Sequence, residues 1–170
     1  VHKALQPLEI SETQLQELLL KAEGNPLFLE EVTRMVREHG AQDALSGVSD
    51  TIQSIIASRI DRLPAAAKHL LQAAAVFGKD VPSAWLRAAF PEIAMPQSLA
   101  LLQHSELLHE TAFFPESVYT FHHGLTQEVA YRSLLHKTRQ EFHSKIARMF
   151  VQDFPEMCQR QPELLAHHYT

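Results

Sequence analysis

The sequence is short of the residues on which several common kinds of functional site depend. Its 170 residues include a single cysteine, Cys158, so neither an internal disulfide nor a zinc ribbon can form. It has only five glycines and contains neither a G-x-x-x-x-G-K-[ST] phosphate-binding loop nor a G-x-S-x-G nucleophile elbow. No apolar run approaches the ~20 residues that cross a bilayer. We therefore expect a cytoplasmic segment that is not an enzyme by itself.

Positive charge is missing from one long part of the chain. The formal net charge is −5, and no lysine or arginine occurs between Arg87 and Arg132. Affinity for nucleic acid depends largely on contacts from Lys and Arg to the phosphate backbone. A surface built from this part of the chain is therefore not expected to bind DNA.

The eleven histidines do not form a recognisable metal-binding sequence. His122-His123 and His167-His168 are adjacent pairs, and adjacent side chains point in different directions on a regular strand or helix. No H-E-x-x-H sequence is present. We therefore predict no metal site.

The spacing of apolar residues predicts a mainly α fold in three parts. Residues 1–63 contain three helical patterns and form the first predicted domain. Residues 64–136 form the second, in which three helices precede two short strands, Leu107–Thr111 and Val118–Phe121. This is the element order of a winged helix with one small β-hairpin. Residues 137–170 form a helical extension, which we interpret as the start of a TPR-like repeat array.

The second helix of the first domain has a clear start. Asn25 is predicted to cap it, and Pro26 occupies its first position, where a missing N–H group costs nothing. Glu30, Arg34 and Glu38 follow with alternating charge, which is typical of a solvated helix face.

The segment 120–135 changes from a strand pattern to a helical one at His123-Gly124. From Leu125 to Leu135 apolar residues lie nearly all round the predicted helix, and such a helix is expected to be buried. Its amino end would then lie inside the molecule beside His122 and His123. Free N–H groups and the positive end of the helix dipole suit an anion such as a phosphate.

Four segments of the chain together resemble a known family. They are GNPLFLEE (24–31), DTIQSIIASRIDRLP (50–64), LLQAAAVFG (70–78) and FHHGLTQEVAYRSLL (121–135). In this order they resemble the carboxy-terminal half of the nucleotide-binding module of STAND ATPases, the signalling branch of the AAA+ superfamily. The resemblance is strongest to bacterial ATPases fused to adenylate or guanylate cyclases or to LuxR-type regulators. It implies a helical lid followed by a winged helix, within a longer polypeptide whose upstream domain carries the P-loop and the magnesium-binding residues.

The resemblance also implies two contacts to a nucleotide. In the family a Gly-x-Pro element opens a lid helix and its proline packs against adenine; here that element is Gly24-Asn25-Pro26, so Pro26 takes the role. A Met-His-Asp element supplies a histidine to the β-phosphate of ADP, and this histidine aligns with His123. His122 replaces the methionine and Gly124 replaces the aspartate. ADP or ATP would bind only in the full-length parent, and the isolated chain would hold no cofactor.

The function that the resemblance implies is regulatory. The segment would close over ADP or ATP and relay the nucleotide state to assembly or effector domains. Its partners would be the upstream P-loop domain, downstream helical repeats and further copies in a self-assembly, with no DNA and no membrane. Two other functions stay open: a DNA-binding winged-helix regulator and a helical scaffold for protein partners. Structural roles stay open for the residues too, with Pro26 as a first-turn proline and His123 as a hydrogen-bonded histidine at a strand–helix junction.

Overall fold

The protein is mainly helical and carries a small three-stranded antiparallel sheet. A computed structural model describes residues 25–39, 52–112 and 116–160, together with the single positions 11, 13, 16 and 22. Within this part, the chain divides into two compact units, residues 1–59 and 60–170, and each is described by itself. Apart from those single positions, the helical pattern predicted before residue 24 lies outside the described residues, as does the part of the predicted helical extension after residue 160. The division into three domains stays a prediction.

Unit 1 contains helix α1, Pro26–His39, and most of helix α2, Ile52–Asp61. The predicted start of α1 is confirmed, since Oδ1 of Asn25 accepts a hydrogen bond from the N–H group of Leu27 at 3.0 Å. Its core consists of one apolar stripe from each helix and one earlier alanine. The buried members are Ala22, Phe28, Val32, Met35, Val36 and Ile55.

Unit 2 alternates helices and strands before it ends in helices. In chain order its elements are α3 (Ala65–Phe77), β1 (Asp80–Pro82), α4 (Ser83–Ala89), α5 (Met95–His104), β2 (Leu108–Ala112), β3 (Val118–Phe121), α6 (Gly124–Arg132), α7 (His136–Asp153) and α8 (Pro155–Arg160). The strand β1 was not predicted. The sequence indicated one β-hairpin, and the structure adds a third strand to it.

The sheet has the order β1-β3-β2, with both pairs antiparallel. Asp80 of β1 and His109 of β2 both pair with Thr120 of the central strand. Because side chains alternate along a strand, the neighbouring positions Val81 and Phe121 point to the other face, where both are buried. One face of the sheet therefore belongs to the core, and the other carries a polar row.

Helix α3 is the centre of unit 2. It packs against α5, α6, α7 and β1, and its alanines let these neighbours approach closely. Its buried residues are Ala67, Leu70, Leu71, Ala73, Ala74, Ala75 and Val76. Gly78 ends it with a φ of 131°, a region that glycine occupies more readily than any other residue.

Helix α7 packs against α3 and α4 within the same unit. Its buried stripe is Phe142, Ile146, Ala147, Met149 and Phe150. Rings of Phe77, Trp85 and Phe150 meet where these three helices adjoin, with Phe150 edge-on to Trp85 at 5.0 Å. Among the described helices, none combines the length and the apolar character needed to cross a membrane.

Candidate functional site

Pro26 and His123 lie in different units. Pro26 is the first residue of α1, and its ring is exposed. This position explains the proline by local structure alone, because the first N–H groups of a helix have no intrahelical partner. An exposed ring is equally able to pack against a flat aromatic ligand.

His123 lies at the junction between β3 and α6. It is the N-cap residue of α6, with φ −132° and ψ 140°, and its carbonyl oxygen accepts a hydrogen bond from the N–H group of Thr126 at 3.0 Å. No side chain caps this helix. The first-turn N–H groups and the positive end of the helix dipole therefore lie next to the half-buried imidazole.

The amino end of α6 is less enclosed than the sequence indicated. His122 and Gly124 are exposed, and Leu135, expected on the same buried helix, is 77% exposed. The helix ends at Arg132, so Leu135 falls in the link to α7 instead of continuing the apolar pattern. The expectation of a helix buried all round is wrong. An end open to solvent on one side is accessible to a ligand.

Polar side chains hold α6 against α3. Nε2 of Gln127 donates a hydrogen bond to the carbonyl oxygen of Ala75 at 3.1 Å, and Nε2 of Gln72 donates to Oγ of Ser133 at 2.9 Å. Val129 and other apolar residues of α6 are buried at the same contact. His123 is therefore positioned by β3 at one side and by a docked helix at the other.

The outer face of the sheet carries a chain of hydrogen bonds next to these histidines. Oγ1 of Thr120 donates to Oδ1 of Asp80 at 2.7 Å, and the hydroxyls of Thr111 and Thr120 are 3.0 Å apart. Thr120 is only 6% exposed although it lies on the polar side of the sheet. These bonds tie β1, β2 and β3 together and leave the second oxygen of Asp80 for other partners.

Three imidazole rings adjoin at this end of the sheet, and we name His109, His122 and His123 the histidine cluster. Ring centroids are 5.6 Å apart for His109 and His122 and 4.6 Å apart for His122 and His123. Residues 122 and 123 form a bend between strand and helix, so the alternation that a regular strand or helix imposes on adjacent side chains does not apply to them. Sequence reasoning missed His109, since only the strand register brings it next to His122.

A second polar group, in unit 1, was also missed. Glu31 is 1% exposed and accepts two hydrogen bonds from Nη1 of Arg59, at 2.9 and 2.6 Å. Arg34, which is 12% exposed at its side chain, lies 3.5 Å from the same carboxylate. The prediction of a plain solvated face on α1 is therefore wrong at Arg34. This buried pair joins α1 to α2, and nothing in it suggests a ligand.

Comparisons with known proteins give little information on function. No protein family model matches the chain. A protein of Rhizobium meliloti (strain 1021), described only as uncharacterized, is 33% identical over 137 residues, which cover 72% of this chain. The chain spans 13% of the length of that relative. In that relative, the similar segment is therefore a small part of a much longer protein.

Proposed function

We propose that this chain is a non-catalytic regulatory segment of a STAND-type signalling ATPase. In the proposal it closes over ADP or ATP held by a P-loop domain of the same, longer polypeptide. The observation that carries the proposal is the position of His123 at an uncapped, solvent-accessible helix amino end. An imidazole and the first-turn N–H groups can together donate hydrogen bonds to one phosphate.

The element order of unit 2 supports a winged-helix reading of this region. Helix α3 is followed by β1, then by α4 and α5, and finally by the paired strands β2 and β3. Winged helices have this order of helices and strands, with the connection between the last two strands as the wing. Here the wing would be the segment between Ala112 and Val118.

The charges of this region favour a nucleotide-linked role over DNA binding. Helix α5 would be the recognition helix, and its exposed side chains include Gln97, Ala100 and His104 but no lysine or arginine. Glu110 and Glu116 adjoin the wing and would repel a phosphate backbone. A single nucleotide needs far fewer cationic contacts than a duplex, and the P-loop domain would supply most of them.

The proposed mechanism is a change in one contact with a large structural consequence. With ADP bound, His123 would hydrogen-bond the β-phosphate and keep the segment closed. Exchange of ADP for ATP would break this contact and release the winged helix as a rigid body, exposing surfaces for assembly with other copies. Pro26 would pack on the adenine ring in the closed form.

The test is the ADP affinity of the full-length parent. His123→Ala should weaken ADP binding roughly tenfold or more, since a hydrogen bond to a charged group contributes about 1.5–3 kcal/mol. His104→Ala, a change at an exposed histidine at the end of α5, is the matched control and should leave the affinity unaltered. An ADP affinity that is the same in the wild type and in the His123 variant would refute the role of this residue.

A further inference from the structure

The pairing of the strands determines which rings of the histidine cluster lie next to each other. Thr120 and His122 are two residues apart and therefore lie on the same side of the central strand and its extension. His109 pairs directly with Thr120, so it is the diagonal neighbour of His122. The N–H group of His122 still bonds the carbonyl oxygen of Leu107 at 3.1 Å, which extends the ladder to this point. The backbone thus fixes which two rings face each other across the strands.

We propose that His109, His122 and His123 form a binding site for a divalent transition-metal ion, for which Zn²⁺ is the probe. This goes beyond the proposed function, because it requires neither a nucleotide nor a P-loop domain. Neutral imidazole is the commonest protein ligand for such ions. Three imidazoles with water in a fourth position make a complete tetrahedral set.

The nitrogens of His122 and His123 already lie close together, and His109, whose ring centroid is 5.6 Å from that of His122, must rotate toward them to share an ion. Two imidazole nitrogens that each lie about 2.0–2.1 Å from one tetrahedral Zn²⁺ are about 3.4 Å apart. The ligand nitrogens of His122 and His123 are already within 4.8 Å of each other. His109 and His122 are exposed, so rotation about their side-chain torsions can bring their nitrogens closer without displacing core atoms.

The surrounding charges also allow a cation. No lysine or arginine occurs between Arg87 and Arg132, so no basic side chain from the two paired strands or from the start of α6 opposes it. Asp80 pairs with Thr120, as His109 does, so it provides negative charge on the same face of the sheet. The dipole of α6 acts in the other direction, which favours a site of moderate affinity.

Other histidines of unit 2 have different surroundings and serve as comparison. His69 stacks on Phe142 with ring centroids 5.1 Å apart, and Nε2 of His143 lies 3.1 Å from the hydroxyl of Tyr131. These rings are part of helix packing. His104 and His136 are exposed at a helix end and a helix start, which makes them suitable controls for adventitious binding.

The experiment is a calorimetric titration of the whole chain with ZnCl₂ at about pH 7.5. The proposal expects one saturable site per chain in the wild type. His122→Ala should weaken it by roughly tenfold or more, since even loss of an outer-shell partner costs 10–100-fold. His109→Ala and His123→Ala should do the same, whereas His104→Ala and His136→Ala should not.

Three results would overturn the proposal. One is the absence of saturable binding in the wild-type chain. Another is an equal loss of affinity in the cluster variants and in the two control variants, which would indicate scattered surface binding. The third is a Zn²⁺ affinity in His109→Ala equal to that of the wild type, which would show that the cross-strand histidine is not a ligand. Trp85 fluorescence and circular dichroism identify any variant that fails to fold, and Asn replaces Ala at such a position.

Discussion

Replacing Phe150 by alanine should destabilise unit 2 strongly and thereby test whether α7 belongs to its core. Phe150 is 2% exposed, and its ring contacts those of Phe77, Trp85 and Phe154 at centroid distances of 6.4, 5.0 and 6.3 Å. Removal of a buried phenylalanine costs about 3–5 kcal/mol, the sum of lost burial and of the cavity that remains. With an m-value of about 2 kcal/mol/M, the urea midpoint should fall by about 2 M.

The single tryptophan makes this measurement local. Trp85 is half-buried beside Phe150, so its fluorescence reports the unfolding of unit 2 alone. Val151 is the adjacent residue on the same helix and is 49% exposed, and Val151→Ala should change the stability by no more than about 0.5 kcal/mol. Phe150→Leu keeps most of the volume and stays measurable if the alanine variant does not fold.

The result that would refute this reasoning is a Phe150→Ala variant as stable as the Val151 control. Helix α7 would then be an appendage to unit 2, as the predicted domain limit at residue 136 implies. A loss of about 3 kcal/mol or more would instead make α7 part of the core on which α3 and α4 depend.

Three further predictions concern single charges. Arg59→Met leaves the carboxylate of Glu31 buried with only its weaker ion pair, so the free energy of unfolding should fall by about 3–5 kcal/mol. Thermal unfolding followed by circular dichroism measures this loss. Adding Glu31→Leu should restore most of it. Burial, aided by a neighbouring carboxylate, raises the pKa of Tyr119. Because the folded state keeps the phenol neutral, the stability of the protein should fall as the pH rises above about 10. Tyr119→Phe should remove this loss. The hydrogen bond from Lys145 lowers the pKa of Glu92, and a backbone hydrogen bond adds to this effect. The contribution of Glu92 to stability should therefore be present above about pH 4.3 and be lost as the pH falls through the lowered pKa. In urea titrations, Lys145→Gln should reduce this acid dependence.

The spacing of apolar residues predicts most of the helices. It does not predict strand β1, and this has a physical reason. The stripes of α2, α3 and α7 repeat at helical spacing, which is a property of the sequence alone. Strand β1 consists of Asp80, Val81 and Pro82, too short for any alternation to show. It is a strand only because the central strand β3 offers it a partner. The pairing of Asp80 with Thr120, 40 residues further along the chain, cannot be predicted from the three residues of β1.

The buried carboxylate of unit 1 shows a different limit. Glu31 follows Phe28 by three residues and precedes Met35 by four, so the helical period already placed it among buried positions. The helical spacing therefore indicates a buried position for Glu31, although the neighbouring charges of Glu30, Arg34 and Glu38 are typical of a solvated face. The partner Arg59 could not be found in this way, because it lies 28 residues away on another helix.

The candidate site was predicted in part, and the missing part was geometric. His123 and the start of α6 follow from the change of period between 121 and 125. His109 has no sequence feature that links it to His123. Its place depends on the register of β2 against β3, which the irregularity between Glu110 and Ala112 shifts by one residue beyond this point. Registers with such a bulge are set by tertiary packing and not by alternation.

His109 also separates the two proposals made for this end of the sheet. If the full-length parent binds ADP through His123 and the cluster binds Zn²⁺, the two ligands share one imidazole and should compete. Each then weakens the other by the same factor, because binding free energies are reciprocal. His109→Ala should weaken this competition by as much as it weakens Zn²⁺ binding, while the ADP affinity stays at the wild-type value. His123→Ala should weaken the binding of both ligands. A His109 variant with weakened ADP binding would show that the three rings act as one phosphate site. Competition of wild-type strength in the His109 variant would place the metal elsewhere.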